Sequence, residues 1–163
     1  MKVKIFRLDK TLPLPIYETQ GSVGFDFLAR ETIEIAAGEI KLIPANVVIE
    51  TPPGFALLVT SRSSTPRKKG LMQPHGLGVI DQDYCGSEDE IKIQVHNFTD
   101  KNVVVERGEK IAQGLFVRCE QTEFEEIEKV ENKTRGGFGS TDVLQGSMYS
   151  VQCAIIFLNW IWW

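Results

Sequence analysis

The sequence has 163 residues and a formal net charge of −4, long enough for one domain with a real core. A pI near 5.3 argues against a nucleic-acid groove or an anionic-membrane surface, so any polyanion must be met by a local basic pocket or a metal ion. Three widely separated thiols, Cys85, Cys119 and Cys153, lack metal-ligand spacing and fit a reducing, cytoplasmic compartment better than a disulfide scaffold.

The opening MKVKIFRLDKTLPLP alternates and lacks the apolar run of a signal peptide. Strand-like runs follow at VKIFRL (3–8), TIEI (32–35), NVVIE (46–50), FALLVT (55–60), NVVVE (102–106) and KIAQGLFV (110–117). Ile91, Ile93 and Val95 alternate with Lys92, Gln94 and His96, the period of a strand with one buried face. Turn formers such as Ala37-Gly38, Pro52-Pro53-Gly54, Thr99-Asp100 and Arg107-Gly108 separate the runs. Many short strands without a long amphipathic helix predict an all-β barrel or sandwich. TEFEEIEKVEN (122–132) fits a helix through Phe124, Ile127 and Val130, or a strand face through Phe124, Glu126 and Glu128. The uncharged end VQCAIIFLNWIWW holds all three Trp in 13 residues, too few for an ordinary membrane span. Gly146-Ser147-Met148 before it reads like a junction, so 146–163 is taken as an appended tail, outside the fold.

Three stretches interrupt the strand pattern: GSVGFDFLA (21–29), SRSSTPRKKG (61–70) and TRGGFGSTD (134–142). Glycine lets a ligand approach the backbone, while Ser, Thr and Arg supply donors. With the acidic IDQDY they suggest a phosphate and metal site. In isolation each has a plainer reading: Asp81 and Asp83 as turn acids, Tyr84 as a core aromatic, and Thr65–Lys69 as a solvated surface turn.

In order, these segments resemble the five motifs of the trimeric dUTPase family. GFDFLA (24–29) is similar to the first, FALLVTSRSS (55–64) runs into the second, and GVIDQDYCG (78–86) is similar to the third. RGEKIAQGLF (107–116) and RGGFGSTD (135–142) are similar to the fourth and fifth. The ordered set spans about 120 residues and is far more specific than any single loop.

The resemblance implies a jelly-roll-like all-β subunit over 1–133, a nucleotide-closing arm over 134–145, and a homotrimer with active sites between subunits. It implies Mg²⁺-dependent hydrolysis of dUTP to dUMP and pyrophosphate. Asp81 would hold the attacking water. Gly78 and Val79 would read the uracil edge through main-chain groups, and Tyr84 would leave no room for a 2′-hydroxyl. Ser63 and Ser64 would contact the phosphates, with Arg62 organising the site. Gln113 would touch phosphate or metal-bound water. Asp26 would either support the metal and site geometry or stabilise the Gly24–Ala29 turn. In the arm, Phe138 would stack on uracil, Arg135 would meet the γ-phosphate, and Gly139, Ser140 and Thr141 would complete the phosphate contacts. Mg²⁺ would ride on the triphosphate, without direct protein ligands.

Three features depart from the family pattern. Arg135 stands closer to Phe138 than in the common form, leaving Lys133 as an alternative cation. Cys85 replaces a frequent Arg, and Ser87–Glu90 lengthen the turn after it. Asp142 stands where Gly is usual. Alternative functions are a dCTP deaminase or bifunctional deaminase–diphosphatase, which share the fold and an RSS segment, and a dUTP-sensing regulatory protein.

Overall fold

A computed structural model of the chain describes residues 1–137. It divides into two units, the first Met1–Thr122 and the second beginning at Glu123. The first is almost entirely antiparallel β structure. The largest sheet has the order β2-β11-β6-β8, built from β2 (Phe25–Leu28), β11 (Lys110–Arg118), β6 (Phe55–Ser61) and β8 (Gly78–Ile80). A second sheet joins β4 (Ile40–Pro44), β9 (Lys92–Asn97) and β7 (Leu71–Met72). Two-stranded pairs link β1 (Lys4–Arg7) with β5 (Val47–Glu50), and β10 (Val103–Val105) with β3 (Ile33–Ile35).

The alternation that predicts these strands is the alternation they bury. Ile91, Ile93 and Val95 all face the core, as do Leu57 and Val59 of β6; each such aliphatic side chain contributes ~1.5–3 kcal/mol. Asn97 continues the buried face of β9 because its amide is satisfied. Its Nδ2 donates to the carbonyls of Ile35, Ala36 and Lys101, and its Oδ1 accepts from Thr99. Gly114 is required by packing. A Cβ there would stand 2.7 Å from the rings of both Phe25 and Phe27.

Three local readings are corrected. GFDFLA contains a strand, since Phe25 and Phe27 bury on either side of Asp26; the glycines and the acid mask the β pattern. Ile40–Pro44, for which no strand is predicted, pairs with β9. Thr65–Lys69 forms the short helix α1 rather than an irregular turn. Pro66 suits a first helical turn, and Gly70 ends the helix at φ 66°, a left-handed conformation that glycine adopts freely.

In the second unit, the described residues 123–137 contain neither helix nor strand, so neither reading of TEFEEIEKVEN holds. Phe124, Ile127 and Val130 are exposed. Lys133 and Arg135 lie here and are also exposed, while Phe138, Gly139, Ser140 and Thr141 lie outside the described residues.

Candidate active site

The four-stranded sheet carries Asp26, Gly78, Val79 and Gln113, and the segments after its strands carry Arg62, Ser63, Ser64, Asp81 and Tyr84. Asp26 on β2 lies opposite Gln113 on β11, which lies opposite Thr60 on β6. Asp26 is only 3% exposed. Its Oδ1 is 2.9 Å from Arg62 Nε and its Oδ2 is 3.2 Å from Lys110 Nζ. Both are charge–charge approaches without hydrogen-bond geometry, so the two buried oxygens keep acceptor capacity. A buried carboxylate is tolerable with such counter-charges around it. Lys110 also pairs with Glu18, and this hydrogen bond, then the nearby Asp26 carboxylate, raises the ammonium above its ordinary value. Asp26 therefore ties β2 to the end of β6 and to β11, and the alternative of a turn-stabilising side chain is excluded by its place in a strand. Arg62 leads into exposed Ser63 and half-buried Ser64, which precede α1.

At the other end of the sheet, β8 pairs with β6 in the register Gly78 with Val59, Val79 with Leu58 and Ile80 with Leu57. The chain then turns sharply. Tyr84 N–H donates to the Asp81 carbonyl at 3.3 Å, and Cys85 N–H donates to the Asp83 carbonyl at 3.0 Å. Gln82 Nε2 anchors this turn to the Phe55 carbonyl at 3.1 Å. Asp81 and Asp83 are exposed and face a cleft of about 600 Å³ that Phe55, Ala56, Val79 and Cys119 also line. Tyr84 is 38% exposed, so it is not a core aromatic. A second hollow of about 290 Å³ lies beside Gly78 and Val79, bordered by Gln73, His75 and Lys92.

Two polar residues near β8 have no signal in the sequence motifs. Gln73 is buried, its Nε2 donating to the Val59 carbonyl at 3.3 Å while its Oε1 has no partner. Glu90 is buried and ion-paired with Arg30 at 2.8 Å. Sequence separations of 14 and 60 residues hide both relationships.

The sheet thus divides the predicted residues into two groups. Asp26, Arg62, Ser63, Ser64 and Gln113 gather near the Ser61 end of β6. Asp81 lies near its other end, beside Ala56. Five residues of extended strand separate these ends, or ~17 Å, too far for one small nucleophile–phosphate site. Among the described residues, no group of three or more His, Cys, Asp or Glu stands where it could cage a metal ion.

Comparison with known proteins places the chain in a family. The dUTPase family profile matches residues 10–142. The deoxyuridine 5'-triphosphate nucleotidohydrolase of Lactococcus lactis is 43% identical over 131 residues, covering 78% of this chain and 87% of that protein. The Helicobacter pylori (strain P12) protein of the same name is 35% identical over 145 residues, covering 88% and 98%. The crystal structure of dUTPase from Streptococcus mutans superposes with a TM-score of 0.69 at 37% identity, covering 76% of this chain and all of that one. The Staphylococcus bacteriophage 80alpha dUTPase shares the fold, with a TM-score of 0.75 at 24% identity over 85% of this chain and 97% of that one. An almost all-β chain with an exposed carboxylate turn beside a sheet-edge strand is the class these features define. The chain belongs to the dUTPase family.

Proposed function

We propose that the chain hydrolyses dUTP to dUMP and pyrophosphate. The observation that carries this reading is the exposed Asp81–Tyr84 turn at the end of β8, facing an open cleft, in a chain matched to the family across residues 10–142. Asp81 orients a water and accepts its proton as the oxygen attacks the α-phosphorus in line. The bond from that phosphorus to the bridging oxygen breaks, and pyrophosphate leaves with the electron pair. Gly78 and Val79 offer main-chain groups to the uracil edge, and the Tyr84 ring meets the deoxyribose. Ser63 and Ser64 donate to the phosphates, supported by Arg62 and Gln113.

The ~17 Å between the two groups along β6 supports a site completed by another copy, with a homotrimer as the assembly. Mg²⁺ bound to the triphosphate would neutralise its charge. Domain limits of 1–133, 134–145 and 146–163, a jelly-roll-like subunit and a cytoplasmic location belong to the same reading. No helix among the described residues is long and apolar enough to cross a membrane. In the arm, Arg135 or Lys133 meets the γ-phosphate, and Phe138, Gly139, Ser140 and Thr141 close over the nucleotide.

The test is incubation with Mg²⁺ and dUTP, dCTP, dTTP or UTP, measuring pyrophosphate and ammonia. Pyrophosphate from dUTP alone is expected. Ammonia from dCTP would replace this reading with a deaminase.

A further inference from the structure

We infer that the Arg30–Glu90 ion pair positions Tyr84 and so sets how strongly the enzyme rejects a ribonucleotide. The inference rests on the proposed role of Tyr84 as the ring that faces the sugar. Glu90 is 5% exposed. Arg30 donates to both its oxygens, Nε to Oε1 at 2.8 Å and Nη2 to Oε2 at 3.1 Å, the planar two-point pairing that fixes a carboxylate in orientation as well as place. The Asn46 N–H adds a third bond to Oε1 at 2.8 Å. Asn46 is itself held, at φ 67°, by reciprocal bonds with the Asp9 backbone: Asp9 N–H to Oδ1 at 2.6 Å and Nδ2 to the Asp9 carbonyl at 3.0 Å.

Glu90 is thus anchored from two separate parts of the chain, and its main-chain carbonyl accepts the Tyr84 hydroxyl at 3.3 Å. The intervening turn closes on itself, since Gly86 N–H donates to Asp89 Oδ2 at 2.7 Å and Asp89 N–H to the Gly86 carbonyl at 3.2 Å. Tyr84 is consequently tethered twice, by its backbone to Asp81 and by its hydroxyl to Glu90. A partly exposed ring excludes a 2′-hydroxyl only while it cannot swing aside. The anchor at Glu90 makes the wall rigid, and loosening it lets the larger sugar enter.

The experiment measures kcat/KM for dUTP and for UTP with Mg²⁺, by pyrophosphate release, in the full chain and in Glu90→Gln, Arg30→Lys, Tyr84→Phe and Tyr84→Ala, each with a melting curve. Glu90→Gln and Tyr84→Phe should each lower the dUTP-over-UTP ratio about tenfold, the scale of one hydrogen bond, with kcat/KM for UTP rising. Loss of folded protein cannot produce that rise, because it lowers both activities together. The double variant should be no worse than either single, since both cut one tether. Where Glu90→Gln fails to fold, Arg30→Lys decides, with a fall of a few fold expected. An unchanged ratio in a folded Glu90→Gln or Arg30→Lys protein overturns the inference. If Tyr84→Ala collapses the ratio and those two do not, the inference alone fails. If Tyr84→Ala also leaves the ratio unchanged, the sugar-wall reading of Tyr84 fails with it.

Discussion

Arg62 Nε lies 2.9 Å from Oδ1 of the buried Asp26, joining the loop that carries Ser63 to the strand that faces Gln113. Asp26→Asn removes the counter-charge for Arg62 and one of the two beside Lys110. Breaking a buried pair costs ~3–5 kcal/mol. Arg62 is 30% exposed, and solvent screening reduces the expected loss to about 1–3 kcal/mol. Urea denaturation checks this, and an unchanged midpoint would mean that the pairing has no net weight.

Gly114 offers a packing test. An added methyl would meet the Phe25 and Phe27 rings at 2.7 Å, so Gly114→Ala should destabilise by ~1–3 kcal/mol. Gly21 has nothing within 4 Å of the same position, and Gly21→Ala should stay within ~0.5 kcal/mol of the parent. Comparable melting temperatures for the two variants would refute the close approach.

Asp9 provides a pH signature. The Arg107 guanidinium, then the Thr11 hydroxyl and N–H, hold its carboxyl well below the usual carboxylate range. A depressed folded value means the contribution is complete above the unfolded value, roughly 4, and is lost as pH falls toward the folded one. The stability gap between the parent and Asp9→Asn should therefore be constant above about pH 5 and narrow steadily below about pH 4. A gap independent of pH down to about 2 would show that the Arg107 contact does not bias the titration.

The fold was legible where one face of a strand is buried, as at Ile91, Ile93 and Val95, because period two survives in the residue types themselves. It was illegible at Phe25–Leu28, where a buried charged residue stands inside the strand and its counter-charges, Arg62 and Lys110, come from distant positions. The motifs nominated candidate site residues through five ordered segments, yet no single segment reports the distance between Asp81 and Ser63. That depends on β6 being extended between them. Glu90 read as part of a lengthened turn because its partners, Arg30 and Asn46, are 60 and 44 residues away.

The same separation gives the most direct test of the account. Asp81→Asn should lower kcat about 10²–10⁴-fold, and Ser63→Ala should also impair turnover. If one dUTP site takes Asp81 from one chain and Ser63 from another, unfolding the two variants together and refolding them as a mixture restores intact sites. Each restored site needs a particular variant at both of two positions, so about a quarter of parental activity should return in a symmetric assembly. No recovery above the sum of the two variants, from a mixture shown to exchange subunits, would contradict a site shared between chains.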